Sequence, residues 1–247
     1  MNRPDDRVEA FHRLHDAGCF LMPNPWDAGS AQVLERLGFP LEHLRTLAAA
    51  VHVPVNADFQ DGYASDPDGV AENVRLACAT GIAGLSIEDA SGDADEPLFG
   101  FDVAVERIRA ARAAIDESGT GVLLTGRSEG FVCGRPDIDE TIRRLRAYAE
   151  AGADCLYAPR ISSLEHISAI VEAVAPKPVN LLVNAPFVTL AEAERLGVRR
   201  ISTGGTLART AWGGFLAAAQ EIVGDGTFSR FTGLPDVEAL FQNDDQG

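Results

Sequence analysis

Residues 151–184 read AGADCLYAPRISSLEHISAIVEAVAPKPVNLLVN, and this stretch decides the fold. A short apolar run at 154–158 precedes an amphipathic helical pattern at 164–174, and a second apolar run occupies 178–184. Short apolar runs joined by one amphipathic helix are typical of a βαβ unit. The two strands of such a unit are parallel, and the crossover between them is right-handed.

The same unit repeats along the chain. Strands are predicted at 19–23, 54–58, 83–88, 121–127, 154–158, 178–184 and 199–203. Helices are predicted at 28–37, 70–80, 103–117, 138–150, 164–174, 190–196 and 207–223, with a short one at 235–241. Many of these helices stop at a glycine, as a left-handed cap requires. We therefore expect one α/β domain over 1–247, a (β/α)8 TIM-type barrel with its core at 11–223 and a tail at 225–247.

A barrel of this type needs eight strands, and the sequence shows seven. After Gly38, Phe39-Pro40 leads directly into a further helical pattern at 41–51, so the second strand is missing. Either the protein lacks this strand, or a segment of the protein is absent from the sequence. The regular alternation elsewhere favours the second explanation, because an unpaired parallel strand edge is costly.

Composition restricts the class of function. The net charge of −16 repels phosphate backbones, which argues against a nucleic-acid partner. No apolar run approaches the roughly 20 residues that span a bilayer, and the charged start MNRPDDRVEAF does not resemble a signal peptide. We therefore expect a cytoplasmic protein without a membrane partner. Only one of the 21 basic residues, Lys177, is a lysine, and it precedes its strand, so Schiff-base chemistry is disfavoured.

Charged residues end three successive predicted strands. Asp58 ends the strand within VPVNADFQDGY (53–63), Glu88 ends GLSIE (84–88), and Arg127 ends VLLTGR (122–127). Neighbouring carboxylates repel unless a cation or proton lies between them, so a Mg²⁺ ion is the economical explanation. The guanidinium suits bidentate binding of a carboxylate or phosphonate. The alternative is a structural ring of salt bridges.

Several segments together resemble a known family. These are NPWDAGSA (24–31), PVNADFQDGYA (54–64), GLSIEDASGD (84–93), TGRSEGF (125–131), AGADCLYAP (151–159), KPVNLLV (177–183) and GVRRISTGG (197–205). They resemble the isocitrate lyase and phosphoenolpyruvate mutase superfamily, and most closely its short, phosphonomutase-like bacterial members. The resemblance runs in consistent order from about Phe11 to Val223.

The resemblance implies a metal site and a substrate site. Asp58 would bind Mg²⁺ (or Mn²⁺) directly, and Glu88 and Gln60 would act mainly through metal-bound waters. Arg127 would hold the carboxylate or developing oxyanion of a small anionic 2-oxo acid. The substrate pocket would be lined by Trp26, Asn184 and Thr203. The shared chemistry is formation of a metal-stabilised pyruvate enolate by cleavage of a C–C or C–P bond.

Three departures from the family pattern narrow this interpretation. Gln60 replaces a second acid, which should weaken metal binding. The segment 89–101, DASGDADEPLFGF, lacks the Lys and Cys of the lyase catalytic loop and the gate-loop lysine of true mutases. The missing second strand would carry the family's Thr-Ser-x-Gly segment. Oxaloacetate decarboxylation or cleavage of a malate-type acid therefore fits better than isocitrate cleavage. The alternative is a barrel that has lost catalysis and serves as an oligomeric binding or scaffold protein.

Three further segments carry predictions. Residues 90–101 and 130–137 are interpreted as lids over the site, and cleavage of both by a protease regardless of bound ligand would contradict this. Ser202-Thr-Gly-Gly205 precedes a helix and could bind an anionic group at the helix N-terminus, although a tight turn explains these glycines almost as well. The final long helix at 207–223 predicts a homo-oligomer, either a dimer or a tetramer, because such a helix contacts a neighbouring subunit in the family.

Overall fold

The computed structural model describes residues 4–16, 18–22, 48–49 and 51–236. Within these ranges the strands are β1 (Phe20–Met22), β2 (Asn56–Asp58), β3 (Gly84–Glu88), β4 (Leu123–Arg127), β5 (Cys155–Tyr157), β6 (Val179–Leu182) and β7 (Arg200–Ser202). The helices with described bounds are α1 (Pro4–Asp16), α2 (Pro67–Cys78), α3 (Phe101–Ser118), α4 (Ile138–Glu150), α5 (Leu164–Val174), α6 (Leu190–Arg195) and α7 (Thr206–Asp225). From β2 onward, strands and helices alternate strictly.

The strands form one parallel sheet in the order β1-β7-β6-β5-β4-β3-β2. Side chains from strands that are not neighbours meet on its inner face. Arg200 of β7 donates to Thr125 of β4 over 3.1 Å, although two strands separate them in the sheet. The sheet is therefore strongly curled around an interior, as in TIM-type barrels. Its two described edges are β1 and β2.

The predicted α/β alternation is confirmed. All seven predicted strands occur, each within its predicted bounds, and the helices from 138 and 164 match the prediction at both ends. The helix predicted at 28–37 and the gap in the alternation at 39–47 lie outside the described residues. The same holds for most of the short helix predicted at 235–241. The absent second strand and the complete eight-stranded barrel therefore stay predictions.

Local chemistry explains where the helices begin. Four of them follow a polar residue whose side chain accepts a hydrogen bond from the first turn, namely Asp66, Asp137, Ser163 and Thr189. Such caps satisfy backbone N–H groups that have no partner within the helix, and each contributes about 1 kcal/mol. Helix α3 ends at Gly119, whose φ of 64° is the left-handed conformation that glycine adopts without steric cost.

The core has two parts. Between sheet and helices lies a large apolar layer that includes Leu85, Ile108, Leu124, Leu145 and Leu156. A smaller cluster, formed by Phe11, Met22, Ala83, Leu123 and Cys155, fills the interior near the amino ends of the strands. Helix α1 supplies Phe11 to this cluster, so it closes the end opposite the site.

Helix α7 differs from the other helices because none of its side chains is buried. Trp212, Phe215 and Leu216 are each more than half exposed, and the Trp212 and Phe215 rings pack edge to face. Over the part of the chain that the structure describes, no helix is long and apolar enough to cross a membrane.

Candidate functional site

The carboxyl ends of β2, β3 and β4 bring three charged side chains together. The register places Glu88 opposite Arg127, and Asp58 lies on the next strand. The Arg127 Nη1 atom is 3.2 Å from Asp58 Oδ1 and 3.1 Å from Glu88 Oε2. The three residues singled out in the sequence therefore form one cluster.

A fourth member, Glu129, was not predicted from the sequence. Its carboxylate accepts a hydrogen bond from Arg127 Nε, and its side chain is only 2% exposed. The signal was present in TGRSEGF, where an acid follows the strand-terminal arginine by two residues. Arg127 is thus shared by three carboxylates, and we call these four side chains the acidic side of the site.

Burial and charge shift the proton affinities of this cluster. Burial raises the pKa of Glu88 to about 7, with Arg127 opposing the shift and the carboxylates of Glu129 and Asp58 adding to it. Burial likewise raises the pKa of Glu129, again against the effect of Arg127. Burial disfavours the charge of Arg127, but Glu129 and Glu88 outweigh it and raise the pKa of Arg127. The guanidinium therefore stays protonated among more carboxylates than it can neutralise.

Asp89 points away from this cluster, into the helix layer. It is 2% exposed and accepts hydrogen bonds from the Glu129 backbone N–H at 2.7 Å, Arg144 at 3.1 Å and the Tyr148 hydroxyl at 2.6 Å. All its partners are strong donors, so its negative charge is well compensated. Asp89 thereby fixes the backbone from which Glu129 reaches Arg127.

A cavity of about 270 Å³ opens beside the cluster. Asp58, Arg127, Asn184 and Thr203 all line it, and the role of Asn184 and Thr203 in binding a substrate stays a prediction. Gln60 is exposed and does not line the cavity, but its backbone carbonyl accepts the Glu88 N–H at 2.9 Å. Trp26 lies outside the described residues.

Three further arginines, Arg160, Arg200 and Arg209, line the same cavity. We call them the basic side. Among the described lining residues, Asp58 is the only acid against four arginines. The cavity of a protein with a net charge of −16 is thus locally cationic, which favours anionic ligands.

Arg200 is held by a network of polar side chains inside the curled sheet. Its Nε donates to Asn180 Oδ1 at 2.8 Å, and its Nη2 donates to Thr125 Oγ1 at 3.1 Å. Asn180 in turn donates to Ser202 Oγ at 3.0 Å. The side chain is among the largest that are fully buried, at 2% exposed. The sequence did not predict a site role for Arg200, because an arginine in a strand of alternating polar and apolar residues is expected to face solvent.

The two predicted lid segments contact each other beside the site. Residues 90–101 fold back on themselves through an antiparallel bridge between Ala90 and Leu98. The Cys133 thiol of the second segment donates to the carbonyl of Pro97 at 3.6 Å, and Val132 lines the cavity. Their opening and closing stays a prediction.

The acidic side has the donor chemistry of a Mg²⁺ site. Three carboxylates face one guanidinium, and Asp58 presents a side chain that is 56% exposed. Across the described ranges, no group of three or more His, Cys, Asp or Glu side chains is arranged as a ready-made metal site. Mg²⁺ usually takes one or two carboxylates and keeps several waters, so Asp58 and Glu88 fit it.

Comparison with known proteins gives a family match. The family model described as phosphoenolpyruvate phosphomutase matches residues 40–223. This range contains every residue of the acidic and basic sides. The resemblance to the isocitrate lyase and phosphoenolpyruvate mutase superfamily is thereby confirmed.

Two curated relatives show similarity over most of the chain. The uncharacterized protein Rv1998c of Mycobacterium tuberculosis (strain H37Rv) is 31% identical over 222 residues, covering 79% of this chain and 81% of that protein. An oxaloacetate decarboxylase of Rhodopseudomonas palustris (strain BisB5) is 27% identical over 225 residues, covering 76% and 73%.

Solved structures confirm the fold. A candidate lyase/mutase from Burkholderia cenocepacia J2315 superposes with a TM-score of 0.93 at 40% identity, covering 98% of both chains. A phosphonopyruvate hydrolase in complex with oxalate and Mg²⁺ superposes with a TM-score of 0.82 at 23% identity, covering 95% of this chain and 93% of the other.

Proposed function

The chain belongs to the phosphoenolpyruvate phosphomutase family and is an enzyme of the lyase or mutase type, and we propose that it cleaves or rearranges a C–C or C–P bond of a small 2-oxo acid with the help of Mg²⁺. The observation that carries the proposal is the acidic side, where Asp58, Glu88 and Glu129 surround Arg127, and Asp58 and Arg127 also line a small cationic cavity. The Mg²⁺ and oxalate bound by the phosphonopyruvate hydrolase agree with it.

Each residue would have a distinct task. Asp58 and Glu88 would hold the Mg²⁺ ion, and Gln60 would act only through its bound waters. When bound, the ion supplies Lewis-acid stabilisation of negative charge on the 2-oxo oxygen of the substrate. Arg127, fixed by Glu129, would donate to the reacting carboxylate or the developing oxyanion. Because its geometry is set before the substrate arrives, little reorganisation is needed during the reaction.

The reaction we favour is decarboxylation of oxaloacetate or cleavage of a malate-type acid. The loop at 89–101 offers neither the Lys nor the Cys expected for isocitrate cleavage or for a true mutase. The oxaloacetate decarboxylase relative supports the same choice. We further propose that the exposed apolar face of α7 joins subunits of a dimer or tetramer, since Trp212, Phe215 and Leu216 lie uncovered within one chain.

The test is the thermal shift of the purified protein with Mg²⁺ and oxalate, a stable mimic of pyruvate enolate. Ligand at about 100 times its Kd stabilises by about 2.7 kcal/mol, or roughly 5–10 °C for a domain of this size. We expect a shift that needs both components and disappears in Asp58→Ala. Asp61→Ala is the matched control, because the Asp61 carboxylate accepts the Tyr63 N–H in a turn and does not line the cavity.

A positive result should be followed by assays of pyruvate release from 2-oxo dicarboxylates. If no combination of Mg²⁺ or Mn²⁺ with oxalate shifts the melting temperature, the catalytic proposal is wrong. The non-catalytic oligomeric barrel would then be the better account.

A further inference from the structure

The segment that begins at Asp58 has an unfavourable backbone conformation. It comprises residues 58–63, and we call it the Asp58 loop. Gln60 and Tyr63 have φ angles of 47° and 53°, so two residues other than glycine lie in the left-handed region. Side chains other than glycine rarely adopt this conformation, and it persists where surrounding contacts hold it. The shape of the Asp58 loop therefore depends on its neighbours.

All five carbonyl groups of residues 59–63 accept hydrogen bonds. The first accepts the Gly62 N–H at 2.8 Å within the loop, and the second accepts the Glu88 N–H at 2.9 Å. Glu88 is the second proposed metal ligand, so its backbone and the Asp58 loop are directly connected. The remaining three carbonyls are held by side chains from two helices.

Asn73 of α2 and Arg107 of α3 provide these contacts. The Asn73 Nδ2 atom donates to the carbonyls of Gly62 and Tyr63 at 2.8 and 3.2 Å. The Arg107 Nη2 atom donates to the carbonyl of Asp61. Two helices of the outer layer thus fix the backbone of the Asp58 loop from outside the cavity.

Arg107 also contacts the segment at 90–101 that is predicted as a lid. Its guanidinium carbon lies 4.0 Å from the centroid of the Phe99 ring. The Phe99 N–H in turn donates to the Asp89 carbonyl at 2.9 Å, next to Glu88 in the chain. One side chain therefore links the segments that follow β2 and β3, the strands that end in the two proposed metal ligands.

The burial of Arg107 is costly for the fold. The residue is 1% exposed, and its buried Nε and Nη1 atoms have no hydrogen-bond partner among the described residues. Burial lowers the pKa of Arg107, against the effect of the Asp61 and Asp66 carboxylates. An apolar side chain of similar length would fill this space without leaving charged donors unsatisfied. Stability alone is therefore a poor explanation for an arginine at this position.

We infer that Arg107 is a positioning residue for the Mg²⁺ site, because it holds the Asp58 loop in the conformation in which Asp58 and Glu88 both contact Arg127. Arg107 does not line the cavity, so it would act through the loop and not on the substrate. Asn73 would have the same task at the far end of the loop. The inference rests on the proposed function and adds to it the residues that set metal affinity.

Metal titration of the full chain tests this role. Mn²⁺ is added at a fixed excess of oxalate, and free Mn²⁺ is followed by its electron paramagnetic resonance signal. Arg107→Met keeps a long side chain beside Phe99 but removes the hydrogen bond to the loop. A smaller fraction of molecules then has the binding conformation, and the apparent Kd rises in inverse proportion to that fraction. We expect a rise of about tenfold, as the loss of one charged hydrogen bond predicts.

The melting temperature separates positioning from stabilisation. Without metal, Arg107→Met should melt at the same temperature as the wild type or higher, because two unsatisfied buried donors are removed. Weaker metal binding accompanied by a lower melting temperature would mark Arg107 as a residue that stabilises the fold, and would contradict the inference.

A second variant and a matched control complete the titration. Asn73→Ala removes two hydrogen bonds from a half-buried position, so it should fold and should raise the Kd about fivefold. Arg109→Gln is the control, because Arg109 lies on the same helix as Arg107, is more than half exposed and pairs with Glu106. Its Kd should equal that of the wild type.

Hydrogen exchange of the metal-free protein, measured by mass spectrometry, tests the loop itself. Peptides that contain the Gly62 and Glu88 N–H groups should exchange faster in Arg107→Met than in the wild type, because both groups donate to carbonyls of the Asp58 loop. Equal exchange, or an equal Kd in the wild type, Arg107→Met and Asn73→Ala, would overturn the inference while the proposed function stands. Absence of Mn²⁺ binding by the wild type would overturn the proposed function, and the inference with it.

Discussion

Replacing His15 tests how the end of the curled sheet that helix α1 covers responds to acid. His15 is 8% exposed, and its ring packs edge to face against Phe11 and Phe20 at centroid distances of 4.9 and 4.8 Å. Its Nδ1 atom donates to the Phe11 carbonyl at 2.8 Å, and its buried Nε2 has no partner among the described residues. Burial and the nearby charge of Arg200 lower the pKa of His15 from 6.5 to about 3.

Proton linkage determines whether acid raises or lowers the free energy of unfolding. Between pH 6.5 and 3 the unfolded chain binds a proton at His15 and the folded chain does not, so stability falls as pH falls through this window. A difference of 3.5 pKa units corresponds to about 5 kcal/mol, a large part of the total stability of a domain. Above pH 6.5 this contribution to stability is fully present.

Urea unfolding at pH 8 and pH 4 measures the effect. On acidification, the free energy of unfolding of His15→Leu should fall by several kcal/mol less than that of the wild type. His12→Gln is the control, because His12 is only half-buried and contacts the Gly121 carbonyl at the surface. Equal losses in the wild type and His15→Leu would refute the reasoning, since they would show that His15 is protonated at no cost in the folded state.

Three further predictions concern other parts of the molecule. Gly84→Ala should lower the free energy of unfolding by about 1–3 kcal/mol in urea titrations, because a Cβ atom would lie 2.6 Å from the Phe11 ring. Gly100→Ala is the control and should have little effect, because open space surrounds that position. Trp212→Glu should reduce the mass measured by light scattering to the 26.3 kDa of one chain, and an unchanged mass would exclude α7 as the subunit contact. Arg127→Lys should lower kcat/KM for the identified 2-oxo acid at least 100-fold, since an ammonium group cannot reproduce the planar contacts; near-normal activity would remove Arg127 from the reaction.

The strands and helices could be predicted from the sequence because each has a recognisable local pattern of apolar and polar residues. Period and length separate the apolar runs from the amphipathic helices, and the rule that parallel strands end at one edge placed Asp58, Glu88 and Arg127 together. Glu129 was missed because it follows its strand, and its contact with Arg127 depends on a turn anchored by Asp89. No periodicity reveals such a contact.

Arg200 shows a different limit of sequence reasoning. An arginine within a strand is ordinarily exposed, and its burial depends on Asn180 and Thr125, which are distant in sequence and adjacent only in the curled sheet. The left-handed conformation of Arg160, with a φ of 64°, is likewise invisible in the sequence, because it is a property of the backbone angle alone.

The two sides of the cavity come from separate parts of the chain. Residues 58–129 supply the acidic side, and residues 160–209 supply the basic side. Each side of the cavity is therefore supplied by one continuous segment of the chain. A crossover near Gly152 that exchanges the later segment between homologues would therefore have to keep Thr125, because the Arg200 guanidinium of the later segment donates to Thr125 of the earlier one over 3.1 Å.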